Sequence, residues 1–210
     1  MTDPVRSVIG VALNFRETLG RLAPSFTGAP YNHPPQAPVL YLKTPNTWIG
    51  SGDNIPCPSG TQRLRMAGTL GLIISRTACR VKAENAFHHI GAFTVVNDVS
   101  IPHEFFYRPA LRERCSDCFC SIGQCAKPVN TDLEIDVVVN NVLRSNVFTR
   151  SLVRSIPQLI QDISEFMTLH ANDIVLIGEP ESSPLCGPGD KVRVEIPGVG
   201  FIENKVVAAS

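Results

Sequence analysis

Apolar residues along much of this chain recur with the period of two that is typical of β-strands. The segment 133–139 alternates apolar and polar residues, and the segment 191–196 alternates in the same way. Successive side chains of a strand point to opposite faces, so each pattern predicts a half-buried strand. Asn140 and Asn141 follow the first segment and predict a tight hairpin turn, because asparagine tolerates positive φ. The return strand is then expected over 142–149.

Unbroken apolar runs predict further, more deeply buried strands over 70–75, 91–98 and 173–177. A helical pattern stands out after Ser155, which can cap a helix with Pro157 in its first turn. The apolar positions that repeat with helical spacing there are Ile156, Leu159, Ile160, Ile163, Phe166 and Met167. A short helix is also expected over 83–89.

Prolines are frequent in the first sixty residues, as in Pro34-Pro35 and Pro56. Because proline fixes φ and has no N–H to donate, residues 1–60 are predicted to form loops and edge strands and no helix. The whole chain, 1–210, is predicted to be one strand-rich α+β domain with mostly antiparallel pairing, on which residues 1–60 pack.

Composition narrows the classes of function. The chain has 43% hydrophobic and 18% charged residues, with 19 basic and 19 acidic residues and no net charge. This balance favours a globular core and gives no electrostatic signal for nucleic acid or an anionic membrane. The apolar runs are too short to cross a bilayer, and the start at Met1 has no secretory pattern. We therefore expect a cytoplasmic protein.

Seven cysteines include the closely spaced Cys115, Cys118, Cys120 and Cys125. Thiolates at such spacing can hold zinc or an iron–sulfur cluster. A zinc knuckle usually has two separated pairs, whereas these four crowd around Phe119, so free thiols on a mobile loop are the alternative. None of the five histidines shows ligand spacing with an acidic partner.

Asp98 is the most informative residue, because it ends the apolar run 91–98. A buried carboxylate is costly to desolvate unless a cation or hydrogen-bond donors meet it. Asp98 therefore either holds a metal ion or is a structural residue, tied to backbone and asparagine groups near Asn97.

Several segments in this order resemble the fumarylacetoacetate hydrolase family, from Gly10 to the C-terminus. The matching segments are 10–15 (GVALNF), 42–50 (LKTPNTWIG), 91–100 (GAFTVVNDVS), 169–180 (LHANDIVLIGEP) and 188–196 (PGDKVRVEI). The segments 106–110 (FYRPA) and 117–120 (DCFC) point to one branch, the bifunctional isomerase/decarboxylases of homoprotocatechuate (4-hydroxyphenylacetate) breakdown, and to their N-terminal half or separate first subunit.

The resemblance implies a mixed β-roll with a magnesium ion at its mouth, held by a Glu-x-Glu pair on one strand and an aspartate on another. Residues i and i+2 of a strand point the same way, which would aim both glutamates at one ion. The metal would chelate an α-keto acid and stabilise the enolate that forms on loss of a proton or of CO₂.

This chain departs from that pattern at most of the ligand positions. Ala67 and Thr69 stand at the two glutamate positions, and Thr18 stands where active branches carry a lid histidine. Asp98 alone is a poor magnesium site, because too little negative charge faces the ion. The resemblance implies that a metal-bearing partner supplies the ion.

Four residues remain as implied catalytic or substrate-binding groups. Asp98, Lys43 and Arg114 are the catalytic candidates, and Lys43, Arg114 and Asn14 are the candidates for substrate binding. Lys43 keeps its family position, and Arg114 replaces a family lysine and could bind a carboxylate bidentately. Both also have a surface interpretation, since Lys43 lies beside a proline-rich turn and Arg114 belongs to the charged run 112–114.

Three hypotheses of function follow. The first is a subunit of a 2-hydroxyhepta-2,4-diene-1,7-dioate isomerase/5-oxopent-3-ene-1,2,5-tricarboxylate decarboxylase, paired as a homodimer or with a metal-bearing paralogue. The second is a catalytically silent protein that binds a dicarboxylate or acts as a scaffold. The third is a metal-independent keto–enol isomerase in which Lys43 and Arg114 neutralise the substrate carboxylates.

Overall fold

Two β-sheets packed face to face form the body of the protein. The computed structural model describes residues 4–129 and 132–209. The strands are β1 (Ser7–Ala12), β2 (Val39–Lys43), β3 (Trp48–Ile49), β4 (Asn54–Cys57), β5 (Leu64–Ile74), β6 (Ile90–Ser100), β7 (Cys120–Ala126), β8 (Glu134–Val139), β9 (Val142–Phe148), β10 (Asp173–Leu176), β11 (Leu185–Cys186), β12 (Lys191–Ile196) and β13 (Gly200–Ala208). The α-helices are α1 (Arg16–Leu22), α2 (Leu111–Arg114) and α3 (Ile156–Phe166).

The larger sheet has the strand order β2-β1-β10-β5-β6-β7-β3, with β11 pairing to β5. The smaller sheet has the order β4-β13-β12-β8-β9. Most neighbouring strands are antiparallel, whereas the pairs β1–β10, β4–β13 and β3–β7 are parallel. The strand-rich α+β prediction is therefore confirmed.

Gly68 on β5 allows the two sheets to approach closely. A Cβ atom at this position would lie 2.7 Å from a methyl of Val137 and 2.8 Å from a methyl of Val194, both on the smaller sheet. The core between the sheets is built from the alternating apolar residues that the sequence displays, including Ile135 and Val192. Burial of this apolar area supplies the main stabilisation of the fold.

The predicted hairpin and the predicted long helix are both present. Asn140 and Asn141 have φ of 51° and 65°, and they join β8 to β9. The Ser155 side chain accepts a hydrogen bond from the Gln158 N–H at 3.5 Å and caps α3. Phe166 does not face the core as its spacing predicts, because α3 ends there and leaves the ring 70% exposed.

Two predictions for the N-terminal region are wrong. Residues 16–22 form the helix α1, since this stretch contains no proline; the prolines that argue against helix come later. β1 is an interior strand between β2 and β10, although β2, β3 and β4 do lie at sheet edges. Residues 1–3, for which no secretory pattern is predicted, lie outside the described residues. Within the described part of the chain, every helix is too short or too polar to pass through a bilayer.

Candidate active site

Asp98 lies at the centre of a buried network of charged side chains. β6 continues to Ser100, so Asp98 is not at the end of its strand, and it pairs with Ala67 of β5 on one side and Cys120 of β7 on the other. The carboxylate is 0% exposed. Lys43 Nζ lies 2.7 Å from Asp98 Oδ1, and the Tyr41 hydroxyl donates a hydrogen bond to Oδ2. The partners of Asp98 are thus a cation and a phenol, and the predicted link to asparagine groups near Asn97 is wrong.

Tyr41 and Lys43 reach Asp98 together because they stand two positions apart on β2 and so share a face. The Tyr41 ring needs the space left by Gly10, its register partner on β1. A Cβ atom on Gly10 would lie 2.1 Å from the Tyr41 ring. Burial, and next the neighbouring charge of Asp98, raise the pKa of Tyr41 well above its usual value, so its hydroxyl stays protonated and donates.

Lys43 is a buried cation, so its surface interpretation is wrong, whereas its role in substrate binding stays a prediction. Its ammonium group donates to the carbonyl oxygens of Val99, Arg114 and Phe119 at 2.6, 2.8 and 2.9 Å, in addition to its contact with Asp98. An ammonium group has three protons to donate. Since these contacts use them, Lys43 positions Asp98 and the segment before β7.

Arg114 connects this network to a second carboxylate. Its Nη2 donates to Glu179 Oε1, its Nη1 lies 3.9 Å from Asp98 Oδ2, and its guanidinium stacks 3.9 Å from the Tyr41 ring centre. Arg114 is buried, so the surface interpretation of its charged run is wrong. Burial alone would raise the pKa of Glu179, but the charge and hydrogen bond of Arg114 outweigh burial and lower it. Glu179 is therefore an ionised carboxylate.

A cleft of about 500 Å³ opens beside Arg114, between β2 and the irregular segment that leads into α2. It is lined by Leu40, Tyr41, Leu42, residues 106–111, Arg114 and Cys115. Two guanidinium groups, of Arg108 and Arg114, meet aromatic rings there, and Arg108 lies 4.6 Å from the Phe105 ring centre. A cleft of this size with two cations suits a small molecule with anionic groups.

The residues around Asp98 do not fit a divalent metal ion. The carboxylate already faces an ammonium at 2.7 Å, and its register neighbour Ala67 has no donor atom. A metal ion bound to Asp98 would stand beside this fixed positive charge, and the other carboxylate of the network, Glu179, is already paired with Arg114. In residues 4–129 and 132–209, no group of three His, Cys, Asp or Glu side chains is placed to hold a metal ion.

Asn14 is buried and joined to backbone groups, and its contact with substrate stays a prediction. Its side-chain amide donates to the carbonyl oxygens of Ile177 at 2.7 Å and Arg154 at 3.2 Å, and its oxygen accepts from the Arg154 N–H at 2.9 Å. The side chain is 1% exposed. Asn14 thus fixes the end of β1 to the residues that follow β10 and precede α3.

The four clustered cysteines are spread over different elements and are not all on a loop. Cys120 and Cys125 belong to β7, and Cys115 Sγ contacts the Leu42 carbonyl oxygen at 3.2 Å. Burial raises the pKa of Cys120 to about 12, so this thiol stays protonated. Among the described residues, these cysteines belong to no group of three His, Cys, Asp or Glu side chains placed to hold a metal ion.

Sequence reasoning missed Tyr41, Glu179 and His103. Tyr41 could have been found from its spacing to Lys43, since the two share a strand face. Glu179 lies within the segment 169–180 that resembles the family, but nothing local shows that it meets Arg114. The charges of Arg114 and Glu179 both affect the pKa of His103, although no acidic residue stands at ligand spacing from it in sequence.

Comparison with known proteins now decides the family. The family described as fumarylacetoacetate (FAA) hydrolase C-terminal matches residues 7–207. The chain belongs to the fumarylacetoacetate hydrolase family. The resemblance drawn from the sequence motifs is therefore confirmed.

Among curated relatives, the 4-hydroxyphenylacetate degradation bifunctional isomerase/decarboxylase of Escherichia coli is 39% identical over 202 residues, which cover 96% of this chain and 47% of that protein. The chain thus spans about half the length of this relative. The crystal structure of 5-carboxymethyl-2-hydroxymuconate delta-isomerase from Mycobacterium smegmatis is 27% identical, with a TM-score of 0.80, and the match covers 98% of this chain and 79% of that one. Fumarylpyruvate hydrolase from Pseudomonas aeruginosa, crystallised with Mn²⁺ and pyruvate, shares the fold at a TM-score of 0.83 and 21% identity, over 100% of this chain and 92% of that one.

Proposed function

We propose that this chain is one subunit of a 2-hydroxyhepta-2,4-diene-1,7-dioate isomerase/5-oxopent-3-ene-1,2,5-tricarboxylate decarboxylase in 4-hydroxyphenylacetate catabolism. The similarity to the Escherichia coli bifunctional enzyme along 96% of this chain supports the reaction class. Because the chain spans about half of that relative, a second, metal-bearing domain of the same fold is expected beside it, as a paralogous chain or as another part of the same assembly.

The observation that carries this proposal is the Lys43–Asp98 pair. The Lys43 ammonium lies 2.7 Å from the aspartate that would meet the family metal, which supports a metal-dependent step on the partner. A Mg²⁺ ion on that partner would supply the electrophile that stabilises an enolate. This chain supplies the cleft, in which Arg108 and Arg114 bind the carboxylates of a small keto-dicarboxylic acid.

Tyr41 and Asp98 orient the guanidinium of Arg114 toward that cleft. The phenol ring stacks on one face of the guanidinium, and Asp98 lies 3.9 Å from Nη1. A fixed guanidinium loses little conformational freedom when it binds a carboxylate, which favours affinity. The single fumarylacetoacetate hydrolase-like domain, residues 1–210, is the unit that would dimerise or pair with the paralogue.

Co-expression with a family member that carries the Glu-x-Glu pair tests this proposal. The two chains are expected to co-purify and to convert the hydroxy-diene-dioate. The loss of its diene absorbance measures this conversion. Calorimetry with Mg²⁺ on this chain alone is expected to give no binding heat. A partner that neither co-purifies nor turns over substrate, or tight Mg²⁺ binding to this chain alone, would contradict the proposal.

A second candidate, a metal-independent keto–enol isomerase, is favoured by one specific observation. His103 and Glu179 line one small cavity, burial lowers the pKa of His103, and Arg114 lowers the pKa of Glu179. Isomerisation by the isolated chain in excess chelator would establish this candidate. Thermal stabilisation by dicarboxylates with no turnover in any mixture would instead identify a silent binding protein.

A further inference from the structure

Cys115 carries a partly exposed thiol in the wall of the cleft between β2 and α2. Its N–H donates to the Leu111 carbonyl oxygen at 2.7 Å, and its carbonyl oxygen accepts from the Asn46 side-chain amide at 2.9 Å. The thiol itself donates to the Leu42 carbonyl oxygen, with the sulfur 3.2 Å from that oxygen. Three hydrogen bonds therefore fix the sulfur between the end of α2 and β2, beside the space that a ligand would fill.

The structure describes all seven cysteines, and Cys115 is the one that lines this cleft. Cys118, three positions later, is also partly exposed, but burial and then the charges of Asp117 and Asp53 raise its pKa. The thiolate is the nucleophilic form of cysteine, so these carboxylates make Cys118 less reactive and also repel anions. The two thiols thus have similar exposure and opposite electrostatic surroundings.

The same cleft contains a buried cation with an unused donor. Arg114 lines the cleft and is 3% exposed. Its Nη2 donates to Glu179, whereas Nη1 has no hydrogen-bond partner among the described residues, since Asp98 Oδ2 at 3.9 Å is too distant. Arg108 is a second, exposed guanidinium in the lining. A buried donor without a partner indicates an anionic ligand, so a carboxylate is expected beside the Cys115 thiol.

We propose that Cys115 is a site of covalent modification by unsaturated carboxylic acids whose C=C bond is conjugated to a carbonyl group. Arg108 and Arg114 bind the carboxylate and place the C=C bond at the sulfur, which raises the local concentration of the electrophile. The adduct occupies the cleft and excludes a further ligand. This site goes beyond the proposed function, because it needs no partner chain, metal ion or turnover.

The modification is an addition and has no leaving group. The sulfur forms a bond to the alkene carbon β to the carbonyl, and the C=C electron pair moves to the α-carbon as an enolate. The proton that the thiol gives up ends on the α-carbon. The thioether product keeps every atom of both reactants, and no oxidant or reductant is consumed.

Three maleimides of different charge test the inference on the isolated chain. N-maleoyl-β-alanine is anionic, N-ethylmaleimide is neutral and N-aminoethylmaleimide is cationic, and all three add to thiols by the same chemistry. Peptide mapping with fragment-ion mass spectrometry gives separate labelling rates for Cys115 and Cys118. The ratio of the Cys115 rate to the Cys118 rate is expected to be about tenfold higher with the anionic reagent than with the neutral one. With the cationic reagent this ratio is expected to be lower still.

Arg108→Gln separates an effect of the cleft from the general field of the surface. This substitution is expected to lower the rate of Cys115 with N-maleoyl-β-alanine about 3- to 10-fold and to leave its rate with N-ethylmaleimide unchanged. Arg112→Gln is the matched control, because Arg112 is exposed in the same charged run but does not line the cleft. It is expected to change either rate by less than about twofold.

A conjugated keto acid tests the class of ligand directly. Incubation with β-acetylacrylate is expected to add the mass of one whole reagent molecule at Cys115, and Cys115→Ser is expected to lose this adduct. Equal rate ratios for the three maleimides, equal effects of the two arginine substitutions, or no acetylacrylate adduct at Cys115 would overturn the inference. None of these results depends on a partner chain, so they leave the proposed function to its own co-expression test.

Discussion

The Asp98 network and the His103 cavity are built from neighbouring residues but treat polar atoms in opposite ways. Around Asp98, the Lys43 ammonium meets a carboxylate and three carbonyl oxygens, and the Tyr41 hydroxyl meets the same carboxylate. Around His103, the lining of one small cavity contains four buried polar atoms without a hydrogen-bond partner in the described part of the chain: Ser100 Oγ, His103 Nε2, Glu179 Oε2 and Glu181 Oε2. The first arrangement stabilises a rigid wall, whereas the second leaves capacity for a ligand. Function is therefore to be sought at the cavity and the adjoining cleft.

The largest expected effect comes from breaking the buried Lys43–Asp98 pair of the Asp98 network. Lys43→Met removes the ammonium partner of the buried Asp98 carboxylate and leaves it the Tyr41 hydroxyl and the more distant Arg114, and we expect a loss of about 3–5 kcal/mol in the free energy of unfolding, measured by urea denaturation. Lys191→Met is the control, because it removes the exposed pair with Glu203 and should cost less than about 1 kcal/mol. Equal losses for both variants would mean that the buried pair does not stabilise the fold.

Gly10→Ala should disturb the Asp98 network through a steric clash with Tyr41. The added Cβ lies 2.1 Å from the Tyr41 ring, so the ring must move away from Asp98, at an expected cost of about 1–3 kcal/mol. Gly20→Ala in α1 meets nothing within 4 Å and should stabilise by about 0.5–1 kcal/mol. Urea denaturation of both variants measures the difference. Tolerance of Gly10→Ala without loss would show that Tyr41 can leave Asp98 freely.

The Arg114–Glu179 pair should reveal itself in the pH dependence of stability. The folded-state pKa of Glu179 lies below its ordinary value of 4.5, so its contribution is present above that pH and is lost as the pH falls through the folded value. We therefore expect wild type to exceed Glu179→Gln in stability at neutral pH, with the gap narrowing below pH 4.5. Denaturation midpoints of both proteins across this pH range measure the difference in stability. A gap that is constant with pH would contradict an ionised Glu179.

The smallest effects are expected at the cysteines. Cys115→Ser and Cys118→Ser should each change the free energy of unfolding by about 0.5 kcal/mol or less, since both sites are partly exposed and hold no metal cluster in the described residues. Thermal melts with and without a zinc chelator check this. A chelator-dependent drop in melting temperature that either substitution abolishes would restore the metal-site hypothesis.

Local patterns predicted the local structure well. The positive φ of Asn140 and Asn141 and the cap at Ser155 are properties of a few adjacent residues, and both predictions are confirmed. The helix α1 was not predicted, because the prediction for residues 1–60 rested on their prolines. The stretch 16–22 contains none of these prolines.

The site was only partly predictable, because its contacts join distant parts of the chain. Asp98 could be singled out, since a carboxylate after an apolar run needs a partner wherever it is. The identity of that partner depended on how β2 registers against β1, and Glu179 meets Arg114 from 65 positions away. Such pairings follow from sheet topology, which a single sequence does not specify.

The position of Arg114 has a further consequence for which molecules the cleft selects. The guanidinium of Arg114 donates a hydrogen bond to Glu179 inside the protein, and Arg114 also lines the cleft. An incoming anion must compete with a carboxylate that is already in place, so a compound with a single weak charge is a poor competitor. Under the proposed function, a molecule with two acidic ends, one of them engaging Arg108, would overcome this competition by binding at two points, so the cleft would select diacids over monoacids.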